Sequence, residues 1–245
     1  MNSIDSQINE ASKEGDLNLL IRLREEGKEW NEQTFTMAAK FGHIHILRYL
    51  FENRCPWNED ATAWASINGH LECLRYLHEH GFQLTSYHVA NVCMRGHLEC
   101  LRYLHEIGCV FTSKTIYIAV VEGRLNCVIY LIENGCAYYD SLFTSAANCG
   151  CFEIIKYFIF NNFSYNIEEL LYVLNKHALK IDFDKEIWFR SLLFPHIKSE
   201  KMPKKLKMIC IEKINRIELE KQQTKDELQN ILPLDVIQYC LHVYI

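Results

Sequence analysis

An all-α helical-repeat solenoid is the fold class this sequence predicts, and three observations predict it. The nine-residue phrase GHLECLRYL occurs twice, starting at Gly69 and Gly96, 27 residues apart. Stepping by 27 in both directions lands on Gly15, Gly42, Gly123 and Gly150, which open the related phrases GDLNLLIRL, GHIHILRYL, GRLNCVIYL and GCFEIIKYF. On both sides of each glycine, apolar residues recur at the three-and-four spacing of a helix face. A short fixed period marks a repeat array, so residues 1–166 read as six units of 27 residues.

The first helix of each unit runs up to the glycine, which supplies the left-handed conformation that ends a helix tightly. Four residues before it stand Ala11, Ala38, Ala65, Val92, Ala119 and Ala146, and beside them Ser12, Ala39, Ser66, Cys93, Val120 and Ala147. Small side chains there let two helices cross closely. Seven residues before it stand Ile8, Phe35, Thr62, Val89, Ile116 and Phe143, on the same face.

The second helix follows the glycine, with its apolar face in residues such as Leu71, Cys73, Leu74 and Leu77. Glu72, Arg75 and Glu79, then Glu99, Arg102 and Glu106, form a solvated outer row of weak ion pairs. A column of Tyr49, Tyr76, Tyr103, Tyr130 and Tyr157 reads as packing between neighbouring units.

The second helix is expected to end at Gly27, Gly81, Gly108 and Gly135, with Asn162 in the sixth unit and Arg54 as the exception. Four residues on, Asn31, Asn58, Thr85, Thr112 and Asn166 take the N-cap slot of the next helix, with Asp140 standing in beside Tyr139. Ahead of each cap runs the series Trp30, Trp57, Leu84, Phe111, Tyr138 and Tyr165, five places before Phe35, Thr62, Val89, Ile116, Phe143 and Leu170. That spacing predicts hydrophobic staples; a partner-binding ladder is the other reading.

Composition bounds the function. With 49% hydrophobic and 23% charged residues the chain has ordinary globular composition. A net charge of -5 argues against a general phosphate-backbone binder, so nucleic acid is not the expected partner. No apolar run is long enough to span a membrane, and the N-terminus MNSIDSQINEASKEGD shows neither a signal-peptide core nor an Arg-rich presequence. The expected location is the cytoplasm, with the nucleus as the alternative.

Six of the eleven cysteines follow the beat: Cys73, Cys100 and Cys127 share one slot, and Cys55, Cys109 and Cys136 another. They read as small core residues, reduced in that compartment. His43, His70 and His97 also share one slot. Neighbouring helices stand about 8–10 Å apart, too far for stacked equivalents to ligate one ion, so no metal site is expected. The sequence holds no HExxH, GxxxxGK[ST], GxSxG or GxGxxG, so neither a catalytic site nor a cofactor is expected.

A helix, a tight GH turn, a second helix of the LxxLxYL kind and a Gly cap resemble the ankyrin repeat over roughly residues 5–166. Ankyrin units usually run to about 33 residues with a TPLH start and a β-hairpin finger. Here the link after Gly81 is only FQLT, so no finger is expected. The shortened unit is similar to ankyrin-like arrays of large DNA viruses that infect protists, which implies a host-cytoplasmic viral protein. Tetratricopeptide repeats are less similar, because their two helices are too long for 27 residues.

In ankyrin arrays the partner usually lies on the surface made by the first helices and fingers; with fingers absent, that surface falls to the helices. The outward slots nine, five and two before each glycine include Met37, Trp64, Ile67, Tyr87, Asn91, Met94, Ile118 and Val121. Apolar residues where solvent would favour charge point to a protein-binding face on a monomeric array. Lateral packing between first helices is the competing account.

Beyond the array, residues 167–202 read as a degenerate unit or helical cap, and residues 203–245 as a separate helical segment. Lys198, Lys201, Lys204, Lys205 and Lys207 form a basic run read as a solvated linker. Leu232, Pro233, Asp235, Val236, Ile237 and Leu241 resemble the start of an F-box, LPxEVxxxIL, which implies a Skp-type linker as partner. Leu206, Cys210 and Ile214 followed by Leu232-Pro233-Leu234 resemble a SOCS box, which implies elongin C and a cullin. An ankyrin array with a terminal box is the arrangement of substrate adaptors for cullin-type ubiquitin ligases. The expected function is therefore protein–protein scaffolding, with ligase adaptor as the sharper version. The alternatives are a closing helical cap for 203–245 and a structural or sequestering ankyrin-repeat protein with no ligase partner.

Overall fold

The computed structural model describes residues 3–139, 141–161 and 163. The chain divides into two units between Tyr165 and Asn166, and all described residues lie in the first. The expected caps at Asp140, Asn162 and Asn166, the degenerate unit 167–202 and the segment 203–245 lie outside the described residues.

The described residues form helices α1 (Ser3–Glu14), α2 (Leu17–Glu25), α3 (Glu32–Phe41), α4 (Ile44–Glu52), α5 (Asp60–Asn68) and α6 (Leu71–Glu79). They continue with α7 (Ser86–Arg95), α8 (Leu98–Glu106), α9 (Ser113–Val121), α10 (Leu125–Glu133), α11 (Leu142–Cys149) and α12 (Phe152–Phe160). Among the described residues there is no strand, and six helix pairs stand where the 27-residue beat places them.

Each pair turns on its glycine. The six glycines take φ between 70° and 84°. The next N–H then reaches back to the carbonyl of the small residue, as in His43 to Ala38 and His70 to Ala65, both at 2.9 Å. A Cβ on any other residue would oppose that backbone conformation.

The odd-numbered helices stack side by side in chain order, each packed on the next, and from α4 onward the even-numbered helices form a second, looser layer. Close stacking follows from the small-residue slots, since Ala38, Ala65, Val92, Ala119 and Ala146 are all fully buried. Phe35 sits between the layers with no exposure, parallel to Phe82 at 6.1 Å and near Phe51 at 6.4 Å.

Helix starts follow the predicted caps with one shift. Asn31, Thr85 and Thr112 accept from backbone N–H groups of α3, α7 and α9, each inside a capping box. In the third unit α5 begins two residues after Asn58, whose Oδ1 accepts from Asp60 N–H at 3.1 Å. The fourth unit closes its box with a histidine: Thr85 N–H donates to His88 Nδ1 at 3.0 Å.

Three of the rings ahead of the caps meet further rings or a cation. Trp30 meets Tyr49 edge-on at 6.1 Å and the Arg24 guanidinium at 4.4 Å. Trp57 lies on Phe82 at 4.2 Å, and Phe111 on His105 at 4.6 Å. With a four-residue link and no finger, a large ring at the mouth of the turn reaches second helices and the neighbouring link.

Candidate protein-binding face

The polar residues of the repeat are largely taken up in joining units. His43, His70 and His97 each bond through Nε2 to a carbonyl at the end of the preceding first helix, Lys13 at 2.8 Å, Lys40 at 2.9 Å and Ile67 at 3.0 Å. Each ring also lies against the preceding turn, so closely that a Cβ on Gly15, Gly42 or Gly69 would overlap it. In later units Arg124 Nε takes the same carbonyl role toward Met94 at 3.1 Å, and Cys151 Sγ toward Val121 at 3.8 Å. Three histidines in one slot thus serve helix ends.

The second-helix layer is joined the same way. Arg48, Arg75 and Arg102 lie over the rings of Tyr76, Tyr103 and Tyr130 in the following unit, at 5.4, 4.4 and 4.9 Å. His78 and His105 bond through Nδ1 to the hydroxyls of Tyr103 and Tyr130 at 2.8 and 2.9 Å. The tyrosine column is inter-unit packing as its spacing predicts. The outer row is solvated as its spacing predicts, with Arg102 and Glu99 paired at 3.7 Å, and its arginines also lean along the array onto the next tyrosine.

The cysteine columns are structural too. Cys55, Cys109 and Cys136 donate through Sγ to the carbonyls of Asn31, Leu84 and Thr112, 24 or 25 residues earlier, at 3.4, 3.5 and 3.4 Å. Burial pushes the thiols of Cys55 and Cys73 up to about 12 and that of Cys100 to about 11. Such thiols stay protonated and are poor nucleophiles.

That leaves the outward face of the first helices. Met37, Trp64, Ile67, Met94, Ile118 and Val121 are half-buried there. Each therefore contributes part of its surface to lateral packing and presents the rest. Tyr87 stands out at 59% exposed, while Asn91, one turn on, is only 8% exposed. Lys40 Nζ lies 4.0 Å from the centre of the Trp64 ring, across from one unit to the next. Tyr117 on α9 is 47% exposed as well, and slot-by-slot reading passed over it because it falls six residues before Gly123. His88 was also missed, and the Thr85-x-x-His88 spacing of a capping box was the signal available. The expected docking residues Leu206, Cys210, Ile214, Leu232, Pro233, Asp235, Val236, Ile237 and Leu241 lie outside the described residues.

Among the described residues no helix is long and apolar enough to cross a membrane. A family model, ankyrin repeats (3 copies), matches residues 8–88. No curated protein matches the chain. Among solved structures, the human ASB11 ankyrin repeat domain is similar, with 22% sequence identity and a TM-score of 0.54. That likeness covers 65% of this chain and 84% of that one. The described helices therefore have the fold of an ankyrin-repeat solenoid, and residues 8–88 match the ankyrin-repeat model.

Proposed function

We propose that the array holds a protein target on its first-helix face while residues 203–245 recruit a cullin-type ubiquitin ligase, making the chain a substrate adaptor of the host or cell cytoplasm. The observation that carries the first half is the apolar and aromatic surface of α5, α7 and α9, where Trp64, Tyr87, Met94, Tyr117 and Ile118 remain at least partly exposed. The second-helix layer offers less, because its arginine, tyrosine and histidine side chains are engaged with one another. The second half is supported by the residues themselves: Leu232-Pro233 with Asp235, Val236 and Ile237, and the Leu206, Cys210, Ile214 spacing. The shortened unit supports the same setting, a finger-free viral array.

The test uses the purified full chain with a purified Skp-type linker or with elongin C. Retention of the Skp-type linker, lost in Leu232→Ala/Pro233→Ala, supports the F-box-like version. Retention of elongin C, lost in Leu206→Ala/Cys210→Ala, supports the SOCS-box-like version. Retention of neither leaves a sequestering ankyrin-repeat protein and removes the ligase half.

A further inference from the structure

In the slot after each turn glycine, His43, His70, His97 and Arg124 hold a carbonyl of the preceding unit with ring or guanidinium nitrogens at 2.8, 2.9, 3.0 and 3.1 Å. The sixth unit uses a thiol instead: Cys151 Sγ reaches the Val121 carbonyl at 3.8 Å, and a thiol is a weak donor. A second cysteine stands two residues before it. Cys149 ends α11 and is exposed, Cys151 is half-buried, and only Gly150 separates them. No other two cysteines of the chain are this near in sequence.

Gly150 takes φ 71° and ψ 29°, the mirror image of a helical residue. The Cα atoms on either side of it therefore stand as far apart as residues i and i+2 of a helix, about 5.4 Å. Across a left-handed residue, however, the flanking side chains turn to one side. With a helical Cys149, the Cys151 φ of -82° and standard bond geometry, their Cβ atoms fall about 4.5 Å apart. A disulfide takes Cα atoms about 4.4–6.8 Å apart and Cβ atoms about 3.5–4.5 Å apart, so the turn holds the pair at bonding geometry.

We propose that Cys149 and Cys151 are a reversible dithiol–disulfide pair, and that its oxidation by a small-molecule disulfide such as glutathione disulfide releases the joint between the fifth and sixth units. The exposed Cys149 thiolate attacks one sulfur of glutathione disulfide, forming a mixed disulfide and expelling one glutathione thiolate. Cys151 Sγ then turns from Val121 about its Cα–Cβ bond, attacks Cys149 Sγ and expels the second glutathione. Each protein thiol's proton ends on a departing glutathione, so two protein thiols become one disulfide while one glutathione disulfide becomes two thiols. Burial, the neighbouring Cys149 and the Glu122 carboxylate push the Cys151 thiol up, which keeps it protonated on its carbonyl until Cys149 has reacted. In the disulfide Sγ carries no hydrogen, and Val121 loses its donor.

The experiment equilibrates the full chain with glutathione disulfide, follows hydrogen exchange, then blocks the remaining thiols after denaturation and maps the products by mass spectrometry. A link between Cys149 and Cys151, reversed by excess glutathione, is expected, with amide exchange in α11 and α12 about two- to threefold faster, the change for losing one weak hydrogen bond. Cys149→Ser should abolish both effects. Cys151→Ser should stop at the mixed disulfide on Cys149 with exchange at the reduced level, because a serine hydroxyl can donate to the Val121 carbonyl and cannot be oxidised by exchange. A mixed disulfide that persists on Cys149 in the natural chain, a link from Cys149 to any other cysteine, no reaction at Cys149, or a Cys149–Cys151 link with unchanged exchange each overturns the switch.

Discussion

The two helix layers of the array join unit to unit by different chemistry. In the first-helix layer most joining residues are small or apolar and wholly buried, such as Ala38, Ala65, Val92 and Ala119, so backbones come close and cohesion is mainly non-directional, with a few bonds such as Ser12 Oγ to the Thr34 carbonyl beside it. In the second-helix layer the joints are directed: an arginine on the next tyrosine, a histidine on its hydroxyl, a thiol on an earlier carbonyl. Directed joints fix residue identity at each slot, and GHLECLRYL duly recurs unchanged in two units. Non-directional joints occupy only the inward slots of the first helix. Its outward slots are left free to differ from unit to unit, and a binding surface needs that freedom.

If this division holds, the heaviest losses come from the shared core. Phe35→Ala, which empties a fully buried site between the layers, should cost about 3–5 kcal/mol in denaturant unfolding. Trp64→Ala on the outward face should instead weaken target binding and leave helicity and melting nearly unchanged. A Trp64→Ala loss as large as that of Phe35→Ala would collapse the distinction between scaffold and surface.

A smaller effect is expected at His88, a directed joint inside the first-helix layer, as Ser12 Oγ to the Thr34 carbonyl is another. Its Nδ1 accepts from Thr85 N–H while Nε2 meets Thr62 Oγ1 of the preceding unit at 3.1 Å, so the neutral Nε2–H tautomer satisfies all three groups. His88→Ala should cost about 1–3 kcal/mol, the range for leaving buried partners unsatisfied. Acid should act on the same joint, because a proton on Nδ1 displaces the capping bond. Burial holds the His88 and His70 rings below their ordinary value of 6.5. Between the lowered folded-state pKa and 6.5 the unfolded chain binds more protons than the folded one, so stability rises with pH. The contribution is complete above that window and is lost as pH falls through it. Melting curves from pH 8 to about 5 should show the decline, and His88→Gln should flatten it. A chain whose melting is unaffected by acid in that range would mean that both rings keep their bonds when charged.

Much of this was legible in the sequence, for an identifiable reason. Turn glycines, apolar stripes and the Asn31, Thr85 and Thr112 caps are local features, with cause and effect within one unit, so a 27-residue period exposes them. The carbonyl partners of His43, His70 and His97 lie 30 residues back, and spacing alone cannot show which atom of the preceding turn a ring will meet. The same applies to the stacking of Arg75, whose ring partner Tyr103 sits in the next unit. Asn91 falls on the outward face by slot, yet it is buried and its Nδ2 goes unpaired, which depends on the packing of the neighbouring helices.

Within the second-helix layer, Tyr103→Phe separates ring from hydroxyl. It keeps the Arg75 stacking and removes only the bond with His78, so the expected loss is about 0.5–1.5 kcal/mol. A loss near zero would mean that the layer is held by its rings, with the histidines free for other contacts. That outcome would move part of the binding potential to the face assigned here to scaffold.

The mildest change, and an expected gain, is Arg54→Gly. Arg54 ends α4 in the slot held elsewhere by Gly27, Gly81, Gly108 and Gly135, and it is the one non-glycine among the described residues with positive φ, at 58°. Space is not the constraint, because a Cβ at any of those four glycines would meet nothing within 4 Å. Only the backbone opposes a side chain there, by about 1–2 kcal/mol for the left-handed conformation. Glycine removes that strain but frees the unfolded chain, which takes back about 0.5–1 kcal/mol. The net expected gain is therefore only about 0.5 kcal/mol, readable as a higher denaturant midpoint at unchanged slope. A loss would mean that the Arg54 side chain makes a stabilising contact strong enough to outweigh its backbone strain. It would also show that the second-helix end, where the other units carry a bare glycine, has been specialised in this one unit.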